Sequence, residues 1–293
     1  MILFEYISQT LERDITNIIW ACSYLHIDAV IIPANPISKS YPDSIVCASL
    51  LQLSIKQKLA ATQQCAITKE LLFIPTIKTN NHTLESLQSA FLSLQYAHLF
   101  AVAIVSGDNH VDSSGLTTYD ALLLLTEMSK RDSYFSTLRV FCAIESNLSR
   151  RTLESLQMKI SFGVRDFITQ PFYMITTDEQ NRQNMKTNKH VQALHYEYFL
   201  KKIQNYIAMF LHEDYHKIHF FCGFLPLFRE RTAKILHDKS LGIIIPKSYL
   251  EAIALNALEA NTAIFHALRY YHYSISYLHF KDIQIFIESI NTR

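Results

Sequence analysis

The sequence predicts an α/β protein, one (β/α)8 barrel of the TIM type in a single domain over residues 1–293. Three observations point there. Short β-rich runs alternate with longer amphipathic stretches from one end of the chain to the other. Several of those runs are apolar without alternation, as expected for parallel strands buried on both faces. Only five glycines occur in 293 residues, against a usual share of about 7%. Four of them, Gly107, Gly163, Gly223 and Gly242, sit where an apolar run meets a polar or turn residue.

The elements follow in order. Strand Ile2–Tyr6 leads to helix Leu11–Leu25, Ala29–Ile32 to Ser44–Lys58, and Leu71–Ile77 to Leu84–Ala97. Phe100–Ser106 leads to Tyr119–Lys130, Leu138–Ile144 to Thr152–Ile160, and Asp166–Thr169 to His195–Leu211. Ile218–Cys222 and Ser274–Phe280 complete eight strands, the last alternating more than the others. Gly242–Ile245 ends in Pro246 and reads as a lead into a helix from Lys247 onward. Eight strands with helical crossovers suit a barrel of roughly 250 residues. The polar, aperiodic stretch Thr176–Lys189 after the sixth strand is expected to be a mobile loop over the C-terminal mouth.

Composition bounds the function. The chain is 49% hydrophobic and 18% charged, rich enough for a substantial core. Lys and Arg number 27 against 26 Asp and Glu, and no basic arm or stripe appears, which argues against a grip on nucleic acid. The five cysteines have no CxxC spacing and read as reduced core residues. Mean hydropathy is +0.07, but no apolar run approaches the roughly 20 residues of a membrane helix. The N-terminus lacks a basic n-region and carries Glu5 inside its first strand, unlike a signal peptide. A cytoplasmic protein that does not engage membranes is expected, with a homo-oligomer left open.

Polar residues at strand ends are the candidates for chemistry, because barrel enzymes build their sites at the C-terminal face. Glu5, between Phe4 and Tyr6, could have a raised pKa and act as a general acid, or be a solvated strand-end acid. Asp108 follows Gly107, where a ligand could approach the backbone; the alternative is a cap on the next helix. Gln170 closes the sixth strand, and its carboxamide offers one donor and one acceptor face to a heterocyclic amide edge. If the barrel forms, all three converge on one mouth. His212-Glu213-Asp214-Tyr215-His216 fits the HExxH pattern of zinc peptidases. It lies at a helix end without a third ligand at a known spacing, so no metal is expected. The Tyr- and Phe-rich tail from Phe265 to Phe286 reads as core.

These residues also carry a resemblance to the methylenetetrahydrofolate reductase family. Phe4-Glu5-Tyr6 is similar to its opening Phe-Glu-Phe, and Ser106-Gly107-Asp108 to its Arg/Thr-Gly-Asp. Ile168-Thr169-Gln170-Pro171-Phe172-Tyr173 resembles Ile-Thr-Gln-Phe-Phe-Phe. Gly223-Phe224-Leu225-Pro226 resembles Gly-Ile-Leu-Pro, and Gly242 to Pro246 resembles Gly-Val-x-Ile-Pro. Tyr119 lies at the family's interval after the Gly-Asp pair. The motifs come in the family's order over most of the chain.

The resemblance implies a (β/α)8 flavoprotein oxidoreductase of one-carbon metabolism and methionine biosynthesis. In it FAD, reduced by NADH or NADPH, passes a hydride to 5,10-methylenetetrahydrofolate and yields 5-methyltetrahydrofolate. It implies Glu5 as general acid, Asp108 acting on both the pterin edge and the field near the flavin, Gln170 on the pterin, and Phe228 against the folate tail. Thr76, Gly107, Tyr119 and Lys159 fall at cofactor positions. Several of these positions depart from the family: Thr76 replaces a His, Pro33 a Thr, and Ser106 the residue before Gly-Asp. Thr152, Ser155 and Met158 replace Asp, Asn and Arg, and Asp120 stands where the family has a small Ala. The expectation is flavin bound weakly or not at all, and the alternative is a flavin-free folate- or pterin-binding relative without reductase activity.

Overall fold

A computed structural model describes residues 1–36, 39–61, 71–106, 115–145, 148–173, 191–209, 217–238, 243, 245–268 and 271–291. Gly107 and Asp108, Thr176–Lys189, Gly242 and the His212–His216 motif lie outside the described residues. The strands are β1 (Ile2–Glu5), β2 (Ala29–Ile32), β3 (Leu72–Lys78), β4 (Ala101–Val105), β5 (Arg139–Ile144), β6 (Asp166–Pro171), β7 (His219–Phe224) and β8 (Tyr273–Ile275). They close in sequence order into a barrel, with parallel pairing from β1 to β5 and between β7 and β8. The helices are α1 (Leu11–Tyr24), α2 (Ser44–Ala61), α3 (Leu84–Tyr96), α4 (Thr118–Ser129), α5 (Ser133–Thr137) and α6 (Arg150–Ser161). They continue with α7 (Val191–Ala208), α8 (Glu230–Asp238), α9 (Lys247–Leu268) and α10 (Phe280–Asn291). The expected TIM-type barrel is therefore the observed fold.

One expected strand is corrected. Ser274–Phe280 was to be the eighth strand, but β8 stops at Ile275 and α10 begins at Phe280. The buried residues Phe280, Ile283, Phe286 and Ile287 recur at helical spacing, so the C-terminal part of that run belongs to a helix face.

Contacts group the residues into two units, Met1–Ala143 with Gln157–Phe167, and Ile144–Leu156 with Ile168–Arg293. In the first, α3 buries Leu87, Phe91 and Leu94 on one stripe, each side chain contributing roughly 1.5–3 kcal/mol. Capping boxes start α3 (Thr83 with Ser86) and α4 (Thr117 with Asp120). The left-handed Gly163 (φ 86°) ends α6, donating its amide to the Ile160 carbonyl at 2.9 Å.

The face of the first unit's strands that looks inward can be fixed from one contact. Arg139, the first residue of β5, reaches Met1 Sδ at 3.7 Å. Residues four strands apart around a closed sheet meet only across its interior. Met1 therefore faces inward, and Leu3 and Glu5 follow by alternation. Arg139 also donates to both carboxylate oxygens of Asp166, at 2.8 and 2.6 Å, and lies 4.9 Å from the centre of the Phe141 ring. This ion pair, with Asp166 buried and Arg139 36% exposed, lies at the N-terminal ends of β5 and β6.

In the second unit the backbone of β7 comes so near β6 that a Cβ at Gly223 would lie 2.5 Å from the Thr169 carbonyl oxygen. Only glycine fits there. Its amide donates to Thr169 Oγ1 at 2.9 Å, and its carbonyl accepts from the Phe172 amide at 3.0 Å. Asn261, fully buried in α9, donates to the Leu227 carbonyl at 2.9 Å and accepts from the Tyr249 hydroxyl at 2.6 Å. Non-helical Asn256 (φ −157°) kinks α9 one turn earlier and caps its second half by accepting from the Glu259 amide. Phe224, Phe265 and Phe286 form a buried aromatic cluster with centroids 5.7–6.1 Å apart, as the tail's composition predicts.

Candidate functional site

Glu5 ends β1, paired with Ile31 of β2. It is partly exposed and faces the barrel interior at the C-terminal end. Burial among apolar neighbours pushes its carboxyl up to about 7. Among the described residues it has no hydrogen-bond or ionic partner. A carboxyl that is half protonated near neutrality and not tied to another side chain can give a proton to a substrate atom and recover it from water.

Gln170 lies in β6, partly exposed. Its own carbonyl accepts from Thr169 Oγ1 at 2.9 Å, so the strand end is held by Thr169 and the close approach of Gly223. Its carboxamide makes no hydrogen bond among the described residues and is open to pair with a ligand edge. Phe228 follows β7 and lines a cavity with Arg229, Thr232, Tyr277, His279 and Asp282. Its ring makes a tilted contact with Phe286, 6.1 Å between centroids. Asp108 and Gly107 fall outside the described residues; the preceding Ser106 shares a 2.9 Å hydrogen bond with Thr118.

The positions aligned with flavin contacts are differently occupied. Thr76 is 7% exposed, and its carbonyl accepts from Ser44 Oγ at 2.7 Å. The Tyr119 ring packs edge-on against Phe162, 5.4 Å between centroids. The Lys159 ammonium donates to the Ala143 carbonyl at 2.8 Å. The Thr152 hydroxyl donates to Glu145 at 3.1 Å. Met158 and Ser155 are partly exposed on the same helix, and Met158 offers no donor. Asp120 accepts from the Thr117 amide and hydroxyl at 2.8 and 2.7 Å, and these bonds hold its carboxyl below the usual range. A dinucleotide diphosphate needs charged or backbone donors. The Thr152 hydroxyl and one N–H of Lys159 are already used within the fold and Met158 supplies no donor, so these positions fit that group poorly.

Three features escaped the sequence reading. Glu145, just past β5, is a strand-end carboxylate that engages Thr152. The Arg139–Asp166 pair joins residues 27 apart in sequence. Asp14 and Asn17 are buried polar groups on the apolar stripe of α1 with Ile18 and Ala21, and their interruption of that stripe was the available signal. Among the described residues no group of three or more His, Cys, Asp or Glu could hold a metal ion. Cys22, Cys47, Cys142 and Cys222 are not in disulfides. Among the described residues no helix is long and apolar enough to cross a membrane.

No protein-family model matches the chain, and no curated protein sequence does. Among solved structures, the chain is similar to a Yersinia pestis DHPS with a pterine-sulfa conjugate, at 8% identity and a TM-score of 0.43, over 100% of this chain and 93% of that one. It is also similar to QR15, an aldolase, at 11% identity and a TM-score of 0.43, over 93% of this chain and 87% of that one. At such values neither likeness assigns an activity. The class defined by the structure is the eight-stranded parallel α/β barrel.

Proposed function

We propose that this chain acts on a reduced pterin, as a methylenetetrahydrofolate-reductase-like oxidoreductase with Glu5 as the general acid. The observation that carries the reading is the Glu5 carboxyl: interior, at the C-terminal end of β1, pushed up to about 7 and without a partner among the described residues. Glu5 protonates the bridging nitrogen of 5,10-methylenetetrahydrofolate, the five-membered ring opens, and the iminium formed is the electrophile. A hydride from NADH or NADPH, the reductant the resemblance implies, completes the methyl group and leaves the oxidised nicotinamide. Glu5 then takes a proton from water. By the resemblance alone, Gln170 and Asp108 hold the pterin edge and Phe228 meets the folate tail.

A second reading, a pterin-binding relative that does not reduce its ligand and holds no flavin, is favoured by one set of contacts. Thr152 and Lys159 hydrogen-bond to Glu145 and the Ala143 carbonyl, and the Tyr119 ring packs on Phe162. The test is NAD(P)H oxidation with 5,10-methylenetetrahydrofolate, with and without added FAD, beside a binding titration of 5-methyltetrahydrofolate. Turnover supports the first reading. Binding without turnover at any flavin concentration supports the second, and absence of both removes the pterin assignment.

A further inference from the structure

The Glu5 carboxyl has no described side chain to aim it, so its direction depends on the backbone that carries it. The next residue is unusually well tied. The Tyr6 ring is fully buried and, by alternation, lies on the face opposite Glu5. Its hydroxyl donates to Asp14 Oδ1 at 3.0 Å and accepts from Asn17 Nδ2 at 2.9 Å. The Asp14 carboxylate is 3% exposed and also accepts the Gln9 amide at 3.0 and 3.1 Å. The Tyr6 amide donates to the Ile31 carbonyl at 2.8 Å, extending the pairing with β2 one residue past Glu5. Backbone on both sides of the turn after β1 is therefore fastened to the first turn of α1.

A buried carboxylate is costly to desolvate, and an apolar residue here would pack without that cost. What the carboxylate supplies is direction: a hydrogen-bonded chain specifies one geometry where apolar packing tolerates several. We propose that Tyr6, Asp14 and Asn17 are positioning residues for Glu5, their buried chain holding the end of β1 so that the Glu5 carboxyl points into the barrel with limited access for water. This rests on the reading of Glu5 as the acid. The other ionisable groups acting on the cluster are Arg13 of α1, which acts on Tyr6, and Cys47 of α2, whose thiol lies in the field of Asp14 and Asp43.

The test is carboxyl 13C NMR titration of Glu5, assigned with Glu5→Gln, in the parent protein and in Tyr6→Phe, Asp14→Asn and Ile18→Val. Tyr6→Phe keeps the ring and every charge, and Asp14→Asn keeps the shape. Ile18→Val is a core change on the same helix outside the chain of hydrogen bonds. The expected result is a parent Glu5 titrating near 7 and falling by at least about one pH unit in Tyr6→Phe and Asp14→Asn, as water reaches a loosened strand end. Ile18→Val, lowering Tm comparably, leaves Glu5 near the parent value. A parent value near 7 that neither polar variant moves, or that Ile18→Val moves equally, overturns the positioning role and leaves the proposed acid intact. A parent value at the ordinary carboxylate pKa overturns both.

Discussion

Two sets of polar residues behave oppositely. At Glu5 and Gln170 the side-chain polar groups make no hydrogen bond among the described residues. At Asp120, Thr152 and Lys159 each polar group is used by the fold, through a helix cap, a link to Glu145, and a carbonyl at the end of β5. Partly buried polar groups without partners cost free energy, so residues left in that state point to a ligand. Polar groups with internal partners need none. The contrast sets strand-end groups without a described partner against groups held by internal hydrogen bonds, and each of the following variants presses on it.

The largest effect expected is on folding. Gly223→Ala drives a methyl group into the Thr169 carbonyl. It should cost roughly 3 kcal/mol or more, read as a lower denaturation midpoint, because rigid backbone on both sides cannot yield cheaply. A shift below about 1 kcal/mol would mean that β7 and β6 can separate. Asp166→Ala, which removes the carboxylate partner of Arg139, should cost about 1–3 kcal/mol by the same measurement, below the range for a buried pair because Arg139 is 36% exposed.

Next comes catalysis. Glu5→Gln should leave the fold and pterin binding nearly intact and lower turnover by ~10²-fold or more. Glu5 also predicts a pH dependence of stability. Its folded pKa of about 7 lies above the ordinary value of 4.5, so the folded state holds the proton more tightly. The stabilisation is full below pH 4.5 and is lost as pH rises through 7. Unfolding at pH 5 and pH 8 should differ by roughly 1–3 kcal/mol from this group, and Glu5→Gln should flatten that difference.

The smallest effects fall on the other set. Lys159→Ala and Thr152→Val should each cost about 1 kcal/mol of stability and leave pterin binding unchanged. Protein purified without added flavin should show no flavin absorbance band. Tight stoichiometric flavin would erase the contrast between the two sets.

The barrel was legible because its strands are apolar runs bounded by polar or turn residues. β2 falls on the expected Ala29–Ile32, and β1, β4 and β5 are within one residue at each end. The errors have local causes. The aromatic alternation after Tyr273 imitated a strand where α10 begins. α8 escaped notice because Glu230–Asp238 is short and charged, with only Ala233 and Leu236 fully buried. Glu5 and Gln170 could be found from their places at strand ends. Asp14 and Asn17 left a signal as polar breaks in the apolar stripe of α1, but their link to Tyr6 and the Arg139–Asp166 pair could not be found, since each depends on which face of a strand or helix meets which neighbour, and that is a property of the closed barrel.

The most direct test of the central claim is the pH profile of kcat/KM for 5,10-methylenetetrahydrofolate. If Glu5 is the acid, the rate falls above an apparent pKa of about 7, and this limb disappears in Glu5→Gln together with most of the activity. A profile flat through neutrality, or a Glu5→Gln variant with the parent's rate and limb, would contradict the assignment.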